Sequence, residues 1–280
     1  MNEKLDLEKI IKGPVDRVRR IIRCHDYLGK PAQVTKDKGE GHLSHRIDND
    51  MESAILRALE TENYKGSIFS EESKVVAFGS DELFLVSDPY CNTMLTFRGV
   101  RESAVSLYEY DGANELLAGV IADLQIYRQI NVKVSAGQPE TLWDDGFREI
   151  CRPSETTDLS EAMVVIPIFK LKRRNPSSSY GHLMESVGKL LTIDGAIVAL
   201  RLCQGELEAF VDPYVGQPTY EALAYQLAER AGCFVTDGDG HQIDWQKLVE
   251  DLRVGSVSRQ TIVAASNQSL HSSIMDALER

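Results

Sequence analysis

Apolar residues at Leu5, Ile10, Ile11, Val15, Val18, Ile21 and Ile22 recur at helical spacing and predict a helix over residues 5–28. Pro14 is expected in the first turn of its main part, where a missing N–H costs nothing. A polar, lysine-containing segment over 29–41, with Lys30, Lys36 and Lys38, then predicts a loop. Met51, Ala54, Ile55, Ala58 and Leu59 form the buried stripe of the next helix, with Asp48 or Asn49 as its cap. The apolar pair Ile68-Phe69 reads as a strand closing on Glu71-Glu72, followed by a linker. A second apolar strand over 83–87 closes on Asp88 and is turned by Pro89. Alternation over 105–110 and an apolar run over 116–121, separated by Asp111-Gly112-Ala113-Asn114, predict a hairpin, and 130–134 a third strand of the meander.

The composition turns polar over 138–161, with Pro139, Pro153 and Ser154, and the lobe boundary is placed there: residues 1–145 and 146–280. Beyond it the pattern predicts a strand over 163–169, an Asn175-Pro176-Ser177-Ser178-Ser179 loop, and helices over 181–191 and 197–203. There follow a strand over 207–211, a helix over 220–231 ended by Gly232, and a strand over 234–236. Asp237-Gly238-Asp239-Gly240 is a turn that lacks the downstream glutamate of a calcium loop. A strand over 261–265, an Asn267 cap and a helix over 271–278 close the chain.

With 280 residues, 42% hydrophobic and 26% charged, the chain has a globular profile and no internal repeat. No basic segment leads into an apolar one at the start, and no apolar run approaches the roughly 18 residues of a spanning helix. The expectation is a cytoplasmic protein without a membrane partner. A net charge of −12 argues against nucleic acid as partner. The basic clusters at 17–20 and 170–174 read as solvated faces. Five scattered cysteines without a CxxC pair read as reduced thiols. His42 and His45 have a metal-like spacing but no third ligand nearby, and read as surface or packing residues.

Neither a nucleotide loop nor a serine-hydrolase elbow is present. The chemistry concentrates instead where two strand ends meet: Glu71, Glu72 and Asp88, with Asp48 at a helix start. Ile47-Asp48, Ser70-Glu71-Glu72-Ser73, Asp88-Pro89-Tyr90-Cys91-Asn92-Thr93, Pro218-Thr219-Tyr220-Glu221-Ala222, Ala231-Gly232-Cys233 and Ile262-Val263-Ala264-Ala265-Ser266-Asn267 stand in one order along the chain. In that order the chain resembles the inositol monophosphatase family of Mg²⁺-dependent phosphomonoesterases over nearly its full length.

The resemblance implies an α/β fold, a layered α/β/α/β/α sandwich, usually dimeric. The N-terminal lobe would carry the metal and phosphate site, and the C-terminal lobe the substrate and dimer surfaces. It implies a first Mg²⁺ on Glu71, Asp88 and the Tyr90 carbonyl, and Asp48, Thr93 and Glu72 as catalytic residues, the first two orienting the attacking water. Asn92 and Asp212 would meet substrate, and Gly195 and Ala196 would lie near the sugar pocket. The second ion's aspartates, however, are replaced by Cys91 and Tyr220. A thiol and a phenol are poor donors for a hard ion. The expected function is binding of a small phosphorylated polyol, sugar or nucleotide by a homodimer impaired as a phosphatase. The alternative is an active phosphomonoesterase using the remaining site, with Glu221 or Asp212 compensating for Tyr220. Recruitment of Cys91 as a nucleophile is a third reading, opposed by its acidic neighbours.

Overall fold

The computed structural model describes residues 5–23, 33–39, 42–80, 82–98, 100, 102–124, 131–133, 137–143, 146–171 and 176–278. The chain opens with α1 (Leu7–Arg23), the hairpin β1 (Val34–Gly39) and β2 (His42–His45), and α2 (Arg46–Thr61). Next come β3 (Ser67–Ser70), β4 (Lys74–Ala77), β5 (Phe84–Cys91), α3 (Thr93–Phe97), β6 (Ala104–Tyr110) and β7 (Leu116–Asp123). Three short strands, β8 (Asn131–Lys133), β9 (Glu140–Leu142) and β10 (Arg148–Ile150), complete one sheet. Its order among the described residues is β10-β9-β8-β7-β6-β5-β3-β4.

The second half contains β11 (Met163–Val165), α4 (Pro176–Ser186), β12 (Lys189–Leu191), α5 (Ala196–Cys203), β13 (Ala209–Pro218), α6 (Thr219–Ala222) and α7 (Ala224–Ala231). It ends with β14 (Phe234–Thr236), α8 (Trp245–Arg253), β15 (Arg259–Ala265) and α9 (Gln268–Leu278). The second sheet has the order β12-β11-β13-β15-β14.

Three buried clusters define five layers. Leu7, Ile10, Ile11, Val15 and Val18 of α1 and Met51, Ile55 and Leu59 of α2 pack on one face of the first sheet against Leu85, Val105 and Val120. Each such side chain contributes about 1.5–3 kcal/mol when fully buried. The opposite face, with Phe69, Phe84, Val86 and Tyr108, meets α5, α7 and α8, which also cover Val165, Phe210 and Ile262 of the second sheet. Tyr180 and Leu183 of α4 and Leu270 and Ile274 of α9 close the outer face of that sheet. The layered α/β/α/β/α sandwich expected from the sequence is therefore the architecture found.

Local expectations differ at several points. Pro14 lies inside α1 rather than in its first turn. It leaves the i−4 carbonyl without a donor, a cost the buried stripe on either side outweighs. The segment read as a loop contains β1, whose backbone groups are paired by β2; residues 24–32, 40 and 41, with Lys30 and Cys24, lie outside the described set. Neither Asp48 nor Asn49 caps α2. His45 is the N-cap, and its N–H donates to Asp48 Oδ2 at 2.7 Å, which places Asp48 in the first turn. The linker after Glu72 includes β4, an exposed edge strand antiparallel to β3.

Helix α4 starts at Pro176, within the predicted loop, and residues 189–191 form β12 instead of helix. Val187 and Gly188 separate the two. A Cβ at Gly188 would run into backbone of Ser160 and Glu161, so only glycine passes there. Helix α8, capped by Asp244 accepting from Lys247 N at 3.0 Å, had no expectation at all. Arg19, read as part of a solvated face, is buried and donates to the Asp123 carbonyl at 2.6 Å, tying α1 to the end of β7. Of the second basic cluster, residues 172–174 lie outside the described set. Strands β9 and β10 run through the stretch in which composition places the lobe boundary.

Candidate functional site

Strands β3 and β5 are parallel neighbours, Ser70 opposite Ser87, so Glu71 and Asp88 leave the sheet at the same end. Pro89 has no N–H to give to the ladder, and the pairing of β5 with β6 shifts between Asp88 and Cys91. The bulge changes which way the next side chains face. Phe84 and Val86 face the middle helices, as does Cys91, whereas Tyr90 joins the cluster beneath α1 and α2. Strict alternation would have put Tyr90, not Cys91, on the face of Phe84 and Val86.

Asp88 is 1% exposed. One of its oxygens accepts the Tyr90 N–H at 3.1 Å. Burial raises its pKa well above the carboxylate range, and the charges of Glu71 and Glu221 push in the same direction. Asn92 follows in the left-handed region, φ 64°, as its type permits, and its Nδ2 donates to the Asp194 carbonyl at 2.7 Å. Asp194 itself precedes the start of α5.

Thr93 Oγ1 lies 2.7 Å from Asp48 Oδ1 and 3.0 Å from the Tyr90 carbonyl. Asp48, Thr93 and Tyr90 thus form one connected group. Burial pushes the Asp48 pKa up to about 7, opposed by its hydrogen bonds from His45 and Thr93 and assisted by the charges of Glu72 and Glu71. The carboxyl is therefore near half-protonation at neutral pH, and in its ionised form it accepts the Thr93 hydroxyl hydrogen bond.

Cys91 is 4% exposed and its sulfur fills the gap between β5 and α5. A Cβ built on Gly195 would collide with it. Its pKa is raised by burial, then by Asp88, Glu221 and Asp194, which leaves a neutral thiol and opposes the nucleophile reading. Tyr220 is 6% exposed, its ring stacks on Phe69, 5.9 Å between centroids at 28°, and burial, then the charge of Glu71, raises its pKa.

Glu221, one residue on, acts electrostatically on Asp88, Cys91, Tyr220 and Tyr225. Adjacent helical positions diverge by about 100°, yet α6 is a single turn at a strand end and both side chains reach the same acidic corner. Asp212 is placed differently: buried on β13, it accepts Val215 N–H at 3.2 Å and Gln217 Nε2 at 3.1 Å. The structure thus brings together Asp48, Glu71, Glu72, Asp88, Tyr90, Cys91, Asn92, Thr93 and Tyr220. Sequence reasoning missed Phe69, Asp194 and Tyr225. Asp194 had a signal, its place directly before the Gly195-Ala196 helix start; Phe69 and Tyr225 looked like any core aromatic.

Away from this corner, His45 is buried with its ring edge-on to Phe97 at 4.9 Å, a packing role; the His42 side chain lies outside the described set. Among the described residues, Asp237, Asp239 and His241 form the trio of metal-type side chains with ligand atoms within 4.8 Å of one another. Asp237 Oδ1 already accepts the backbone N–H groups of Asp239 and His241 in that turn. Among the described residues no helix is long and apolar enough to cross a membrane.

No family model matches the sequence, and no curated protein resembles it significantly. Solved structures do. The extragenic suppressor protein SuhB from Bartonella henselae superimposes with a TM-score of 0.74 at 19% identity, covering 98% of each chain. The Thermotoga maritima IMPase gives 0.73 at 16%, covering 98% of this chain and 96% of its own. A gene product described as inositol monophosphatase–fructose 1,6-bisphosphatase gives 0.77 at 17%, covering 98% and 100%. End-to-end coverage on both sides at TM-scores of 0.73–0.77 establishes that this chain has the inositol monophosphatase fold.

Proposed function

We propose that this protein binds a small phosphorylated polyol, sugar or nucleotide at the corner formed by β3, β5, α5 and α6, and that it is impaired as a Mg²⁺-dependent phosphomonoesterase. The observation that carries this reading is what fills the corner: the Cys91 sulfur is buried against Gly195 at the start of α5, and the buried Tyr220 ring is stacked on Phe69 of β3. A two-ion Mg²⁺ arrangement does not fit this donor set. Mg²⁺ demands oxygen ligands in near-ideal octahedral geometry, and a buried thiol and phenol offer neither the charge nor the hardness of two carboxylates. The sulfur against Gly195 also fills the space between β5 and α5.

Lys74, the first residue of β4 after the Glu71–Ser73 turn, holds its Nζ 5.5 Å from the centroid of the Phe69 ring that stacks on Tyr220, and so brings a cation toward this end of β3. An anionic ligand group has a partner there without a metal. Asn92 and the start of α5 would shape the remaining wall. In this reading residues 1–145 supply the phosphate end and residues 146–280 the substrate wall and the homodimer contact, in a cytoplasmic protein. Substrate contact by Asp212 would require release of its bonds to Gln217 and Val215.

The alternative, a working phosphatase, is favoured by one observation: the Asp48–Thr93 pair that would orient water is intact at 2.7 Å. Phosphate release from inositol phosphates, sugar phosphates and adenosine bisphosphates, with and without Mg²⁺, separates the two. The proposed reading expects no Mg²⁺-dependent release. Turnover at ordinary enzymatic rates that Glu71→Gln abolishes establishes the alternative.

A further inference from the structure

Strands β3 and β5 end side by side, and β4 begins beside them. Ser70 is the register partner both of Ser87 on β5 and of Lys74, the first residue of β4. Lys74 therefore stands at the end of the sheet from which Glu71 and Asp88 emerge. The three-residue turn between β3 and β4, Glu71-Glu72-Ser73, is fastened on both sides. The Glu71 N–H donates to the Ser87 carbonyl at 3.3 Å, and the Ser73 N–H donates at 3.0 Å to Oε1 of Glu52, a buried residue of α2. Lys74 itself has φ 64°, the left-handed conformation in which a three-residue hairpin turn normally places glycine. A lysine is thus held there against its backbone preference. It is exposed, and its Nζ lies 5.5 Å from the centre of the Phe69 ring, within cation–π range. Among the described residues this ammonium has no ion pair and no hydrogen bond, although two glutamates precede it in the same turn.

We infer that Lys74 is the residue that recognises the phosphate of the ligand, and that Glu52 is a positioning residue that fixes the turn presenting it. The ammonium carries three N–H donors for phosphate oxygens, and its charge is not spent on a carboxylate. Recognition of this kind selects a phosphate monoester over the corresponding neutral polyol, sugar or nucleoside. It needs no metal, because a side chain supplies the countercharge. The inference rests on the ligand-binding reading above and names the group that reads the phosphate.

The experiment titrates inorganic phosphate into the full chain by calorimetry, in EDTA and at fixed ionic strength. The wild type is expected to bind. Lys74→Met keeps an aliphatic stem over Phe69 and removes the charge, and should weaken binding by about 10–100-fold, the value of a hydrogen bond to a charged group. Lys74→Arg should retain it. Lys74→Gly relieves the backbone, so it should melt no lower than the wild type and still lose phosphate binding, which separates recognition from folding. Glu52→Ala should weaken binding, and Glu52→Gln should restore it, because the amide oxygen still accepts the Ser73 N–H. Loss of packing alone gives no such rescue. A wild type that binds no phosphate in EDTA overturns the inference, and so does Lys74→Met binding as the wild type does. Equal loss in both Glu52 variants overturns the positioning role. Mg²⁺-dependent turnover, by contrast, refutes the metal-impaired reading and has no bearing on whether phosphate binding in EDTA depends on Lys74.

Discussion

Replacing Gly195 with alanine tests how completely the sulfur of Cys91 fills the corner. Gly195 has φ 82° and ψ −176°, a backbone region essentially reserved for glycine, and a side chain there costs about 1–3 kcal/mol in strain. The added methyl also collides with Cys91 Sγ, and overpacking of a tight interior costs about 1–3 kcal/mol more. Gly195→Ala is therefore expected to destabilise the protein by about 4 kcal/mol, near the upper end of single-residue effects. The two costs separate in a double-mutant cycle, because Cys91→Ala removes the sulfur but leaves the backbone strain. In the Cys91→Ala background the same Gly195→Ala change should cost about 1–3 kcal/mol less. For a chain of this size 1 kcal/mol moves the melting temperature by about 2 °C, so the difference between backgrounds should be about 2–6 °C. Thermal unfolding of the four proteins by fluorescence measures it. Equal losses in both backgrounds refute the contact, and with it the filling of the corner by Cys91.

Asp48 gives a pH signature. Its folded pKa, about 7, lies above the unfolded carboxylate value, so the native state binds the extra proton and ionisation is what costs stability. That contribution is full at pH below about 4 and is lost as pH rises toward 7, on the order of 3 kcal/mol in all. Asp48→Asn should accordingly gain stability relative to the wild type as pH rises from 4 to 8, measured by urea unfolding across that range. A difference independent of pH would mean that Asp48 is already ionised in the fold. The thiols make a kinetic prediction. Cys91, Cys151, Cys203 and Cys233 are all buried with raised pKa values, so none should react with an aromatic disulfide reagent in the native protein at pH 8, and all should react in denaturant. Rapid native labelling at Cys91, located by mass spectrometry, would revive the nucleophile reading.

What could be read without coordinates was whatever depends on neighbours in the chain. The buried stripes of α1 and α2, the hairpin of β6 and β7, the Gly232 stop after α7 and the Asn267 cap of α9 follow from local spacing and cap chemistry. The order of acidic motifs was legible for the same reason, and it led to the right fold. Short strands were not: β4 and β12 are held by what they pair with, and their sequences carry weak periodicity. Helix α8 did have a local signal, Trp245, Leu248, Val249 and Leu252 at helical spacing behind the Asp244 cap, which the sequence reading passed over. Arg19 looked solvated because its partner, the Asp123 carbonyl, is 104 residues away.

The acidic corner divides along the same line. The resemblance alone proposed that Cys91 and Tyr220 stand where the family has hard ligands, and their poor match to a hard ion follows from charge and donor softness, which belong to the side chain and not to its surroundings. Only the tertiary structure decided what those two residues do. The register shift after Pro89 turns Cys91 toward the middle helices, the ring of Phe69 packs on that of Tyr220, and the single turn of α6 brings Glu221 into the electrostatic field of Asp88. Each of these depends on contacts between distant strands and helices, and a one-residue change of register would have turned the same side chains to opposite faces.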